Sequence, residues 1–462
     1  MSSPRSTKPE IVMDHLFIAN RGEIAVRIIR TAQRLGIRTT LAVSDADTES
    51  LAAGMADALA RVGPAPAAAS YLNKEAMLEA AKNSGADAVH PGFGFLSENA
   101  DFAQMVIDSG IIWVGPDPET IRLMGNKAAA RAAAVEAGVP TLAGTEGALP
   151  EDADIEAIAA EIGFPLVVKA SAGGGGRGIR LVETQDQLAG TIDIARAEAA
   201  AAFGDDSLYL ERFVTRARHV EVQVLGDGER YIHLGDRDCS MQRRQQKMIE
   251  EAQAPEIPDD VRKVIRDSSV ELARRSGYKG AGTVEFLYDP AHHTAAFIEM
   301  NTRLQVEHPV TEFVTGVDIV AEQLRIAEGR GLSISQDDVS FDGHAIEVRL
   351  NAEDPANGFM PSPGTITELR WPEGDGVRID SGFAAGGVVA PFYDSMLAKL
   401  IVHAPDRAQA IAKMARALDE IEIEGVKTTI PLLRVLISRD EFAAMDHYST
   451  FVENTESLWE EL

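Results

Sequence analysis

Leu166–Val182 reads LVVKASAGGGGRGIRLV: four glycines in a row, then Arg177 and a fifth glycine, with an apolar run on each side. The flanks predict two β-strands, so the glycines join strand to strand and not strand to helix. A mobile surface hairpin accounts for such a composition. A second reading is chemical. Glycines let backbone N–H groups approach phosphate oxygens, and here Lys169 precedes the loop while Arg177 lies inside it. The Gly-Lys-Ser/Thr ending of a P-loop is missing, which favours a hairpin lid over a triphosphate.

Outward from this loop, the chain reads as alternating strands and helices. LFIAN, RGEIAVRIIRTAQRLG and TTLAVS give strand, helix and strand, followed by KEAMLEAAKNSG with ADAVHPG and ENADFAQMVIDSG with IIWVGP. This alternation predicts a parallel sheet covered on both faces. Its first turn, ANRGEIA, holds one glycine where a dinucleotide fold needs G-x-G-x-x-G. An alanine-rich helix carrying Lys127 comes next, then a small α/β unit around the glycine loop and a strand-rich stretch from His219 to Gln242. After Gly343 short strands alternate with turn residues, and two closing helices are expected.

Composition excludes several classes. The 462 residues exceed one ordinary core. A formal net charge of −28 argues against nucleic acid and against acidic membranes, though not against an anionic substrate in a locally basic pocket. No apolar stretch reaches the length of a spanning helix, and the polar start MSSPRSTKPE lacks a signal-peptide core. The single cysteine, Cys239, precludes an internal disulfide and suits the cytoplasm.

Two further stretches carry chemistry. In IEMNTRLQVEH, an extended strand would put Glu299, Asn301, Arg303, Gln305 and Glu307 on one face and Ile298, Met300, Thr302, Leu304 and Val306 on a core. A solvated edge strand fits this pattern, as does a site where a hard cation and an anion meet. Glu285 stands between Val284 and Phe286 in an apolar strand, so its buried carboxylate needs either a salt-bridge partner or a metal. Glu285, Glu299 and Asn301 together suit Mg²⁺ bridging ATP phosphates. In CSMQRRQQK, Gln242, Arg243, Arg244 and Lys247 form either a solvated basic turn or helix, or a pocket for a small anion. Arg349, in a strand pattern, wants an anionic partner, and His219 shares an alternating face with Glu221 and Gln223.

Taken together, FIANRGEIAVRIIR, HPGFGFLSEN, KASAGGGGRGIR, RDCSMQRR, FIEMNTRLQVEHPVTE, RLNAEDP and YDSMLAKLI resemble the biotin carboxylases of the ATP-grasp superfamily. The resemblance implies a mixed α/β fold. A disordered tail (1–14) would precede a Rossmann-like N-terminal domain (15–125), an ATP-grasp domain (126–343, lid about 144–212) and a C-terminal biotin carboxylase domain (344–462). It implies ATP contacts from Lys127, Lys169, Glu211 and His219, adenine held by main chain near Val214, and phosphates covered by Gly174, Gly175 and Gly176, with Gln242 and Gln245 in the same nucleotide site. Mg²⁺ or Mn²⁺ would sit on Glu285, Glu299 and Asn301. Bicarbonate would lie among Lys247, Arg303, Gln305 and Val306, with Glu307 as its base and with Arg303 and Arg349 stabilising the developing anions.

One departure stands out. Where the family reads Gln-Arg-Arg-His-Gln-Lys this chain has Gln-Arg-Arg-Gln-Gln-Lys, so Gln245 replaces a histidine near the phosphates. Phe93 replaces a more usual tyrosine. The tetrapeptide Ala-Met-Lys-Met is absent, so biotin is expected on a separate carboxyl carrier protein, the carboxyltransferase on another chain, and the enzyme as a homodimer. The final acceptor is then chosen by those partners. Two competing expectations are another ATP-grasp ligase acting on a different carboxylate, and an ATP-binding regulatory subunit impaired at Gln245.

Overall fold

A computed structural model describes residues 12–145, 147–150, 153–170, 179–203 and 205–461. The glycine loop, with Gly174, Gly175, Gly176 and Arg177, and residues 1–11 of the expected tail lie outside the described residues.

The N-terminal part is a five-stranded parallel sheet of β1 (His15–Ile18), β2 (Arg38–Ser44), β3 (Ala58–Gly63), β4 (Ala88–His90) and β5 (Ile112–Trp113), in the order β3-β2-β1-β4-β5. Successive residues of β1 feed opposite cores. Leu16 and Ile18 pack with Ile24, Ile28 and Leu41, while Phe17 packs with Val89, Phe102 and Trp113. A sheet buried on both faces needs this continuous apolar run. Edge strand β3 carries little apolar signal in the sequence, because most of it is exposed or half-buried.

A small unit follows: β6 (Leu166–Ala170), β7 (Ile179–Val182) and β8 (Leu208–Arg212), in the order β7-β6-β8. Lys169 pairs with Ile179, so the glycine loop does join two antiparallel strands. Helices Ile155–Ile162 and Gln185–Phe203 pack on this unit through Ala159, Leu188 and Ile192. The alanine-rich helix, expected from Gly125 to about Ala143, spans Lys127–Glu136 and opens where the Asn126 side chain accepts from the Ala129 N–H at 3.0 Å.

The strand-rich remainder holds β9 (Arg218–Asp227), β10 (Tyr231–Arg243), β11 (Gln246–Ala252), β12 (Lys279–Asp289), β13 (Thr294–Asn301) and β14 (His344–Asn351). Together with strands Val377–Ser381 and Met396–Ala404 they form one antiparallel sheet of eight. Three strands after Gly343 therefore extend the central sheet. The chain closes with helices Arg407–Glu420 and Ile430–Ser438, as expected, and then with short turns of helix at Asp440–Ala443, Phe451–Asn454 and Glu456–Trp459. No helix among the described residues is long and apolar enough to cross a membrane.

Candidate active site

Sheet register builds the site. Arg237 on β10 stands opposite Glu221 on β9, Glu221 opposite Glu285 on β12, and Glu285 opposite Glu299 on β13. Three carboxylates thus lie abreast on neighbouring strands, an arrangement that destabilises a sheet unless cations intervene. Arg237, fully buried, donates to Glu221 at 2.6 Å. Lys247 reaches in from β11, its Nζ 2.7 Å from Glu221, 3.1 Å from Glu285 and 2.6 Å from Glu307. His219 Nε2 lies 3.2 Å from Glu285. The salt-bridge partner that a buried Glu285 demands is thus supplied by the protein itself.

The extended strand expected over Ile298–His308 stops at Asn301. Beyond it, residues 302–307 form a loop that enters helix His308–Thr315, with Pro309 in its first turn. The expected alternation also fails at Ile298, which is 41% exposed and not in the core. It is the extra residue of a bulge, because Glu285 pairs with Glu299 while Phe286 pairs with Phe297.

This loop still gathers the polar residues. Arg303 donates to Glu98 at 2.8 Å, to Gln305 at 2.9 Å and to Asn301 at 3.1 Å. Asn301 and Gln305 both donate to the same Glu285 oxygen, at 2.8 and 3.2 Å. Arg349 on β14 donates to Glu250 at 2.5 Å and to the second oxygen of Glu307 at 3.0 Å.

Electrostatics follow from these contacts. Burial pushes the Glu307 carboxyl up, but Lys247, Arg349 and Arg237 outweigh it and hold the group well below the usual carboxylate range. Glu285 is lowered in the same way, burial being overcome by Lys247 and His219. For Lys247 burial favours the neutral amine, yet the surrounding acids raise it well above its ordinary value. Glu299 moves the other way, raised by burial and by the Glu285 charge beside it, with Lys127 opposing. A cation between Glu285 and Glu299 would relieve that repulsion, and their carboxylates with the Asn301 amide oxygen are the hard donors Mg²⁺ takes.

Lys169 pairs with Glu211 in the small unit, where Arg131 also reaches Glu211 at 3.5 Å. Val214 is half-buried just after β8. Gln242 is buried opposite Lys247 on β10. Gln245 occupies the exposed tip of the β10–β11 hairpin, where it and Arg244 take φ of 65° and 47°. The basic run is therefore a two-residue hairpin turn, which requires positive φ at both positions. Arg243 stacks 3.7 Å from the centre of the Phe359 ring. Sequence reasoning left Glu98, Arg237, Glu250 and Lys399 unassigned. Glu221 carried a visible signal, as a polar residue alternating with valines in HVEVQV, and Glu98, Arg237 and Lys399 lie within the motif stretches HPGFGFLSEN, RDCSMQRR and YDSMLAKLI.

A glycine-bearing hairpin unit beside an antiparallel sheet with a carboxylate row is the architecture of an ATP-grasp protein. The chain matches the family models for the biotin carboxylase N-terminal domain over residues 12–121, the ATP-binding domain of the carbamoyl-phosphate synthase L chain over 126–335, and the biotin carboxylase C-terminal domain over 347–454. Biotin carboxylase of Pseudomonas aeruginosa is 52% identical over 428 residues, 92% of this chain and 95% of the relative. Biotin carboxylase 1 of Bacillus subtilis is 48% identical, covering 95% of this chain and 98% of the relative. Among solved structures, the biotin carboxylase domain dimer of Hydrogenobacter thermophilus 2-oxoglutarate carboxylase, in complex with MgADP, ADP and bicarbonate, superposes with a TM-score of 0.85 at 43% identity, covering 97% of this chain and 98% of that one. The chain belongs to the biotin carboxylase family.

Proposed function

We propose that the protein carboxylates biotin at the expense of ATP and bicarbonate, the biotin being carried by a partner protein. The observation that carries this reading is Glu307, gripped by Lys247 on one oxygen and by Arg349 on the other, on the loop that also bears Arg303 and Gln305. A small oxyanion is suited to that ring of cations, and a carboxylate at its centre is placed to take its proton.

In the proposed chemistry Glu307 deprotonates bicarbonate, which attacks the γ-phosphate of ATP to give carboxyphosphate and ADP. Carboxyphosphate breaks down to CO₂ and phosphate, phosphate takes the N1′ proton of biotin, and biotin attacks CO₂. Lys247, Arg303 and Arg349 hold the anions. Val306 contributes main chain and Gln305 its amide. Entry of bicarbonate gives Lys247 and Arg349 a second anion to bind and frees Glu307 to act as a base. Glu285, Glu299 and Asn301 would hold Mg²⁺ or Mn²⁺, which would supply positive charge to offset that of the phosphates. Lys127, Lys169, Glu211, Val214, His219, Gln242 and Gln245 are assigned to the nucleotide, and Gly174–Gly176 to its lid.

The division proposed with this function is an N-terminal domain over 15–125, an ATP-grasp domain over 126–343 with its lid at 144–212, and a C-terminal domain over 344–462. A homodimer working in the cytoplasm with separate carrier and carboxyltransferase subunits completes the proposal. The Hydrogenobacter relative, a dimer of the same domain, supports the first part. A different ATP-grasp ligase would have no use for the Lys247–Glu307–Arg349 grouping, and a regulatory relic no need of every charged partner. ATP hydrolysis measured with Mg²⁺ and bicarbonate tests the reading: free biotin should stimulate it, and removal of bicarbonate should abolish the stimulation. Nucleotide binding with no response to biotin would overturn it.

A further inference from the structure

Lys399 is a fully buried cation with no role in the chemistry above. It lies in strand Met396–Ala404, opposite Arg349 on one side and Asp380 on the other. Its Nζ lies 3.2 Å from Glu23, in the first turn of helix Gly22–Arg34, and 4.0 Å from Asp380. Asp380 has its own cation in Arg378, at 2.7 Å, and burial holds the neighbouring Glu347 carboxyl well above the usual carboxylate range against the pull of Lys399, so Glu23 is the nearest counter-charge left to Lys399. Burying such a pair costs much desolvation, and a well-packed apolar pair would hold the sheet against the helix at lower cost.

The third contact of Lys399 is of another kind. Nζ donates to the main-chain oxygen of Val306 at 2.7 Å. That carbonyl belongs to the peptide joining Val306 to Glu307, within the loop that carries Arg303 and Gln305. In a trans peptide C=O and N–H point in opposite directions. Fixing the Val306 oxygen therefore turns the Glu307 N–H the other way. Among the described residues neither that N–H nor the N–H of Val306 donates to any protein acceptor, although Glu307 is fully buried and Val306 nearly so. Buried backbone donors rarely go unpaired, which marks this peptide as one that awaits a ligand.

We propose that Lys399 is a positioning residue that anchors the Val306 carbonyl and so aims the Val306–Glu307 peptide and the Glu307 carboxylate at the bound anion. Glu23 holds Lys399 in place from helix Gly22–Arg34, so the anchor ties the first helix to the anion loop. This role rests on the assignment of the loop to bicarbonate.

The test compares wild type, Lys399→Met and the double variant Lys399→Met/Glu23→Gln. The single variant leaves Glu23 uncompensated and is free to misfold for that reason alone. The double variant removes the stranded charge and should melt within a few degrees of wild type. In it the KM for bicarbonate should rise tenfold or more while the KM for ATP stays within twofold. Amide hydrogen exchange over residues 302–307 should quicken, with β1 unchanged. A double variant whose bicarbonate KM stays within twofold of wild type, or whose two KM values rise together, overturns the proposal. If wild type itself shows no bicarbonate-dependent turnover, the assigned function fails. The exchange comparison then decides alone, and unchanged exchange over 302–307 overturns the anchor.

Discussion

Lys247 and Glu307 stand 2.6 Å apart, one from the β11 hairpin and the other from the turn before helix His308–Thr315, and the same ammonium also binds Glu221 and Glu285. A carboxylate held this tightly is a weak base until its cations are shared with a substrate anion. Replacing Glu307 by Gln keeps the shape and removes the proton acceptor, so biotin-dependent ATP turnover should fall about 10²- to 10⁴-fold. The KM for ATP should stay near wild type. Initial rates under saturating bicarbonate check this, and a variant retaining a tenth of the activity would rule Glu307 out as the base.

Lys247→Met takes one cation away from three buried carboxylates at once, leaving Glu221 to Arg237, Glu307 to Arg349 and Glu285 to His219. Breaking a buried pair by removing one partner costs about 3–5 kcal/mol, and the melting temperature should drop accordingly. Calorimetry of the variant alongside Arg303→Ala separates the two kinds of cation.

Arg303 is the contrasting case. Its side chain is 19% exposed and its carboxylate partner Glu98 is 42% exposed, so that bridge contributes at most about 1 kcal/mol. Arg303→Ala should fold and melt like wild type yet lose biotin-dependent turnover. Wild-type rates in this variant would remove Arg303 from the catalytic set.

Glu23 predicts a pH effect on stability. Burial pushes its carboxyl up to about 7, against the pull of Lys399. A carboxyl whose folded pKa lies above its unfolded value binds more protons in the folded state, so its contribution is fully present below the unfolded pKa and is lost as pH rises toward 7. Glu23→Gln mimics the protonated form. Relative to wild type it should therefore be more stable at pH 8 than at pH 5, by on the order of 2–3 kcal/mol. Denaturant unfolding at the two pH values reads the sign directly, and an equal effect at both would contradict the assignment.

Gln245 stands at an exposed turn tip where histidine tolerates positive φ. Gln245→His should change stability by no more than about 0.5 kcal/mol. On the proposed assignment of position 245 to the nucleotide, a partial positive charge there should lower the KM for ATP severalfold, more at pH 6.5 than at pH 8. A KM equal to wild type at both pH values would mean that position 245 does not meet the nucleotide.

Local patterns in the chain determined a good deal. Leu16 to Ile18, the helical spacing of Ile24, Ile28 and Ala32, and the two apolar flanks of the glycine loop specified parallel sheet, helix and hairpin, since alternation and helical period follow directly from which faces must be buried. Glu285 was legible as a charged group in an apolar strand, and Arg303 and Glu307 as members of one alternating polar face. Tertiary structure alone decided their partners. The row Arg237–Glu221–Glu285–Glu299 arises from strand register, which pairs Glu221 with Glu285, 64 positions away, and the bulge that expels Ile298 depends on the partner strand. The strand expected beyond Asn301 became a loop because helix His308–Thr315 and the Lys399–Val306 contact claim that backbone. No periodicity in one segment records what a lysine 93 residues away will hold.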